Sequence, residues 1–173
     1  MSMAASRPRF EGLRLVLMGV AGCGKSSVGA VLALAIGLPY RDADDLHPAA
    51  NIEKMRLGEP LTDADRWPWL QRVALALTDS GIVGCSALKR SYRDLIRTHA
   101  GGPVTFVHLS GSRDVIEARM RGRKGHFMPP ALLDSQFAAL EPPGADEAAV
   151  VVDIDQPLAV LVAEIVMKLR GTA

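Results

Sequence analysis

Cysteine is scarce: Cys23 and Cys85 are the only two in 173 residues. Neither their number nor their spacing suits a disulfide framework or a zinc site, so both read as reduced thiols. Aromatic residues are scarce too, at 5%. A core must therefore be filled by aliphatic side chains, which the 49% hydrophobic content supplies. Neither sign of charge dominates, with 20 Lys and Arg against 19 Asp and Glu. That balance argues against a large nucleic-acid footprint, which needs a net basic face; a local basic cluster at 119–124 can still meet a phosphate. Long apolar runs are missing. Leu13–Met18 is far too short to span a bilayer, and the first twelve residues contain no apolar stretch of the signal-peptide kind. These absences predict a soluble, cytoplasmic chain with no membrane or nucleic-acid partner. Its length suits a single α/β domain over 13–173 behind a flexible N-terminus, 1–12.

What is present alternates between strand-like and helix-like segments. Leu13–Met18 reads as a buried strand, followed by a glycine-rich turn and a helix over Lys25–Ile36 whose Val28, Leu32, Ala35 and Ile36 share a face. Gly37 closes that helix. Pro39–Asp42 reads as a short second strand and 48–58 as a small helix. Thr62 with Asp65 has capping-box spacing, while Pro68 equally suits a first helical position, so the start of the next helix stays open. Strands over Ile82–Cys85, Val104–Leu109 and Ala149–Asp153 alternate with helices over Leu88–His99, Asp114–Arg121, Ala131–Leu140 and Pro157–Arg170. Such alternation predicts a mainly parallel sheet covered by helices on both faces.

Gly19-Val20-Ala21-Gly22-Cys23-Gly24-Lys25-Ser26, followed by Ser27, matches the phosphate-binding pattern G-x-x-x-x-G-K-S. It sits between a predicted strand and a predicted helix, the context this motif requires. Its glycines let backbone N–H groups turn inward around a phosphate, and the helix N-terminus adds its dipole. Lys25 is placed to reach the β- and γ-phosphates, Ser26 to ligate Mg²⁺, and Cys23 serves as a small spacer. The motif names a nucleotide and not a reaction. No N-K-x-D guanine-reading sequence is present, and Leu109-Ser110-Gly111-Ser112 is only a fragment of a transporter-ATPase signature.

A small-molecule kinase needs an acceptor pocket and a basic lid beside the phosphate loop. Asp42-Ala43-Asp44-Asp45-Leu46-His47-Pro48 lies just past the second strand, at the carboxyl edge where α/β sheets bind ligands. Of Asp42 and Asp44, one can hold the metal's water shell and the other can bind or deprotonate the acceptor hydroxyl. His47 is either a turn residue or a ligand contact. The lid candidate is 122–130, basic and punctuated by glycines. Arg123 is the candidate for transition-state charge, and Arg119 the candidate for packing on adenine.

Together these segments resemble the gluconate kinase (gluconokinase) family, related to shikimate kinase within the nucleoside-monophosphate-kinase-like group. Further pieces are Asn51–Met55, Gly58–Asp63, Asp65-Arg66, Pro68–Leu70, Cys85–Lys89, Tyr92–Asp94, Arg123–Phe127, Gln136-Phe137, Leu140–Pro142 and Val152–Pro157. The resemblance implies a three-layer P-loop fold with a small lid, and transfer of the γ-phosphoryl group of ATP to D-gluconate with Mg²⁺. It implies that Asp42 lies near the metal, Asp44 against the acceptor hydroxyl, and Ser86-Ala87-Leu88 along the acceptor pocket. It makes Arg66 a candidate for the substrate carboxylate, against the alternative of an ion pair with Asp63 or Asp65. By the same resemblance Lys89 and Arg93 are nearby basic candidates or solvent-facing residues, and Gln156 and Pro157 look like the turn bordering the adenine. Homodimers are common in this family. The chain departs from the family pattern between Leu70 and Cys85, where it is several residues shorter, and at Gly84, where a β-branched residue is expected. Other readings are a kinase for a different small hydroxy acid or polyol, and a nucleotide-binding regulator without turnover.

Overall fold

A computed structural model describes residues 9–123 and 129–172. Five parallel strands form one sheet in the order β2-β3-β1-β4-β5. They are β1 (Arg14–Met18), β2 (Tyr40–Asp42), β3 (Gly81–Gly84), β4 (Thr105–Ser110) and β5 (Val150–Asp153). Between and after them run α1 (Lys25–Ile36), α2 (Ala49–Arg56), α3 (Asp63–Ala76), α4 (Arg90–His99), α5 (Arg113–Arg121), α6 (Pro130–Ala139) and α7 (Leu158–Gly171).

The strands' period of two builds the layers. On β1, Leu15 and Leu17 enter one apolar cluster with Val28 and Leu32 of α1 and Leu161 and Ile165 of α7. Val16 and Met18 point the other way and join Leu70 and Val73 of α3 and Ile96 of α4. All four β1 side chains are sealed from solvent, each burial contributing roughly 1.5–3 kcal/mol. The result is the expected α/β arrangement, a parallel sheet between two helical layers.

Local signals explain the boundaries. Gly37 sits in the left-handed conformation at φ 72°, its N–H donating to Ala33 O and ending α1. Thr62 caps α3 through a reciprocal capping box with Asp65. That resolves the open start of this helix and leaves Pro68 inside it. The shortened stretch does not clip the third strand. Ser80, at φ 83°, turns the chain within a short connection, and β3 then pairs with β1 from Gly81 to Gly84. The expected Cys85 falls just past the strand's end, and a 3₁₀ turn over Ala43–Leu46 was not anticipated.

Candidate active site

Every strand points its carboxyl end the same way, so the loops after β1, β2 and β3 meet at one edge. They enclose a cavity of about 550 Å³ lined by Lys25, Ser26, Asp42, Asp44, Ser86 and Arg123, among others.

The loop after β1 carries the phosphate-binding motif. Gly19, at φ 146°, has no room for a side chain: a Cβ there would lie 2.8 Å from Cys23 Sγ and 2.9 Å from Leu109 O. Ala21, Gly22, Gly24, Lys25 and Ser26 reach the cavity. Val20 and Cys23 are buried beneath it, which makes Cys23 a spacer. Ser27 is exposed on α1 and does not line the cavity. The Lys25 ammonium donates to Gly19 O at 2.9 Å and Val20 O at 3.2 Å, so the loop's own carbonyls hold it at the cavity wall.

The acidic turn follows β2. Ser26 Oγ donates to Asp42 Oδ2 at 3.3 Å, joining two oxygen donors from different loops. Asp42 Oδ1 accepts from the Asp44 N–H at 2.9 Å and so caps the 3₁₀ turn. Asp44 opens onto the cavity. Its carboxyl is pushed above the usual range, first by the protein packed around it and next by the Asp42 carboxylate, while His47 and Lys25 act oppositely. Trp69 of α3 braces this turn from below, its indole N–H donating to Ala43 O at 2.8 Å. His47 is stacked on Trp69 with ring centroids 4.3 Å apart. It faces Asn51 across 3.3 Å and lies outside the cavity lining. Burial lowers its pKa first, Asp44 opposes this, and Arg66 adds to it. In this conformation His47 packs beneath the turn.

Arg66 takes the ion-pair alternative, 3.4 Å from Asp63. Lys89 lies 3.3 Å from the same carboxylate, and the Tyr92 hydroxyl donates to it as well. The Tyr92 bond, then those cations, hold Asp63 below the usual carboxylate range. Neither Arg66 nor Lys89 lines the cavity. Of the β3–α4 turn, Ser86 reaches the cavity while Ala87 and Leu88 pack behind it. Arg93, one of the candidates for a solvent-facing residue, is instead fully buried.

Arg123 reaches the cavity from the end of α5. The rest of the lid candidate's core, 124–128, lies outside the described residues, as does 1–8 of the expected flexible N-terminus. The Arg119 guanidinium donates to Ile154 O, just ahead of Gln156 and Pro157. Gln156 Nε2 binds Asp153 O and Glu164, both at 2.7 Å, and Pro157 precedes α7. None of these three lines the cavity, although the Arg119 guanidinium lies close to Gly24, which does.

Gln136 and Tyr40 are among the lining residues to which the sequence reading gave no site role. Gln136 Oε1 of α6 accepts the Ala21 N–H at 2.6 Å, a carbonyl oxygen on a phosphate-loop amide. Tyr40 lies between two glycines. A Cβ on Gly29 would fall 2.2 Å from its ring, and one on Gly84 would fall 2.3 Å from its hydroxyl. The missing side chain of Gly84 is therefore the space that Tyr40 fills. Among the described residues its sealed hydroxyl has no hydrogen-bond partner of normal geometry. The phosphate motif flagged neither residue, because each contact joins distant parts of the chain.

No protein-family model matches the chain. The thermoresistant gluconokinase of Escherichia coli K12 is 51% identical over 156 residues, covering 86% of this chain and 88% of that protein. The chain belongs to the gluconokinase family. A gluconokinase crystal structure from Sinorhizobium meliloti is 49% identical and superposes with a TM-score of 0.86 over 94% of both chains. Shikimate kinase from Aquifex aeolicus, at 19% identity, superposes with a TM-score of 0.58 over 92% of this chain and 98% of its own, a likeness of fold alone. Family membership makes the chain an ATP-dependent kinase of the sugar-acid type. Among the described residues no helix is long and apolar enough to cross a membrane.

Proposed function

We propose that this protein transfers the γ-phosphoryl group of ATP to D-gluconate, giving ADP and 6-phospho-D-gluconate. The observation that carries this reading is the convergence of Lys25, Ser26, Asp42, Asp44 and Arg123 on one cavity, in a chain about half identical to a gluconokinase. Residues 13–173 act as one kinase unit, with 122–130 as its lid.

The phosphate-loop amides and Lys25 hold the β- and γ-phosphates, and Arg119, Gln156 and Pro157 border the adenine. Asp44 binds the acceptor hydroxyl and takes its proton as the oxygen–phosphorus bond forms and the β–γ bridging bond breaks. Its raised pKa suits that role, because a more basic carboxylate is a better proton acceptor. Arg123 meets the charge that spreads over the transferred group. Ser86 stands at the acceptor side with Ala87 and Leu88 behind it. Arg66, Lys89 and His47 contribute to acceptor binding only if the acceptor carboxylate draws the two cations from Asp63.

Mg²⁺ fits the donors. Ser26 and Asp42 offer hard oxygen ligands 3.3 Å apart. Among the described residues no group of three or more His, Cys, Asp or Glu forms a metal cage. A sparse set completed by phosphate and water is how Mg²⁺ is commonly held, and bound there it neutralises phosphate charge. A cytoplasmic location and a homodimer belong to the same reading, and light scattering tests the dimer.

A coupled ADP-release assay with ATP and Mg²⁺ over gluconate, shikimate, other sugar acids and neutral sugars tests the substrate. Saturable release with gluconate supports the reading, and turnover confined to another acceptor replaces it. Lys25→Ala is expected to cut kcat at least ~10²-fold, the loss typical of a fixed donor to transition-state charge. Near-normal turnover in a folded variant would refute its role.

A further inference from the structure

The β3–α4 turn, Ser86-Ala87-Leu88, is irregular backbone beside the cavity, and Ala87 takes the left-handed conformation at φ 44°. A residue with a Cβ stays there only when its surroundings impose it. Those surroundings are unusual. The Arg93 side chain is wholly excluded from solvent. Its Nη1 donates to Ala87 O at 3.0 Å and to Leu88 O at 3.2 Å, gripping the carbonyls of two successive peptides. Its other edge makes a two-point pair with Glu147, Nε to Oε1 at 2.7 Å and Nη2 to Oε2 at 2.9 Å. Glu147 is nearly as buried as Arg93 and is fixed in turn by Arg97 at 2.8 Å and by the Gly144 N–H at 2.9 Å.

The same turn is tied to the nucleotide side. The Gly19 N–H, at the start of the phosphate loop, donates to Ser86 O at 3.2 Å. The Glu141 N–H donates to Leu88 O at 2.8 Å. Three successive carbonyls of the acceptor wall are thus held, one by the phosphate loop and two by Arg93. A lysine could not replace this arginine, because a single ammonium lacks the planar fork that meets a carboxylate on one edge and a peptide on the other.

We infer that Arg93, locked by Glu147, is a positioning residue for phosphoryl transfer: it holds the Ser86–Leu88 turn in register with the phosphate loop and so sets the acceptor side of the cavity. This rests on the proposed assignment of that turn to the acceptor. A residue serving only the fold would leave acceptor and nucleotide affinities unchanged, or change both together, once stability is restored. A positioning residue changes the acceptor alone.

The deciding variant is Arg93→Met with Glu147→Leu, which removes both charges together and fills the space with apolar side chains, a replacement folded proteins commonly tolerate. Arg93→Lys accompanies it as the variant that keeps the charge and loses the fork. Both are expected to fold and to bind a non-hydrolysable ATP analogue within about twofold of wild type. KM for gluconate is expected to rise about tenfold or more, with amide hydrogen exchange faster at Ser86, Ala87 and Leu88; these sizes follow from losing hydrogen bonds to a charged group. An unchanged gluconate KM or unchanged exchange at those three amides overturns the inference, and so does an equal loss of affinity for analogue and gluconate. If wild type ignores gluconate, the proposed substrate fails and not the clamp. The same KM comparison then uses whichever acceptor is phosphorylated, and the exchange measurement decides with no acceptor at all. Should the double variant not fold, Arg93→Lys carries the test by the same readouts.

Discussion

The cavity has two irregular walls, and they are braced by opposite chemistry. The acidic turn after β2 rests on Trp69, through a neutral hydrogen bond to Ala43 O and a stack against His47. The turn after β3 rests on Arg93 and Glu147, a solvent-excluded ion pair. A neutral brace suits the first wall, because Asp42, Asp44 and Asp45 already crowd negative charge there, and a cation beneath them would quench the basicity that Asp44 needs. The second wall presents carbonyl oxygens to its support, and a guanidinium satisfies several of them at once. Loss of one partner is therefore far more damaging in the charged brace than in the neutral one.

The largest effect expected follows from breaking the charged brace on one side. Glu147→Leu leaves Arg93 buried without its carboxylate, which typically costs about 3–5 kcal/mol. Chemical denaturation checks this, and the paired replacement described above should recover most of the loss. Glu147 also carries a pH signature. Arg93 first, and Arg97 less strongly, hold it well below its ordinary 4.5. A depressed carboxylate pKa lends stability that is complete above 4.5 and drains away as pH falls below it. The acid limb of wild-type stability should therefore be steeper than that of the paired variant below that pH.

Breaking the neutral brace should cost less. Trp69→Phe keeps an aromatic ring beside His47 but leaves Ala43 O without its donor, a loss of about 1–3 kcal/mol. A destabilisation matching that of Glu147→Leu would show that the two braces are not different in kind.

The smallest stability change expected has the opposite sign. Asp44 has a raised carboxyl pKa, so at neutral pH its ionised form burdens the folded state. Asp44→Asn should leave the melting temperature unchanged or slightly higher, while kcat falls about 10²–10⁴-fold, the range for a lost general base. Retained turnover would remove Asp44 from the proton path.

What could be read in the sequence was local. The span Lys25–Ile36, its closure at Gly37 and the Thr62–Asp65 cap each depend on residues within a turn or two, and each stands as expected. Even there, Pro68 left two starts open until the cap geometry resolved them. What could not be read joins distant residues. Arg93 lies on a helix rich in charge, a pattern that ordinarily marks a solvated face, and its partner Glu147 is 54 positions away. Gln136 meets Ala21 across 115 positions, and no local pattern announces the contact. Lys89 and Arg66 were recognisable as cations, but not their common hold on Asp63.

Gly29, Tyr40 and Gly84 constrain how this sequence can drift. A side chain at position 84 meets the phenol oxygen at 2.3 Å but the ring carbons only beyond 3 Å. Phenylalanine at 40 would therefore remove the worst collision and leave an alanine at 84 in tight contact with the ring. Position 29 would stay closed, because there the obstacle is a ring carbon at 2.2 Å. The order of substitutions then matters: losing the hydroxyl first leaves a passable intermediate, whereas enlarging Gly84 first forces a collision beside the cavity. A lineage can cross between the two forms, in either direction, only through the intermediate that pairs phenylalanine at 40 with glycine at 84.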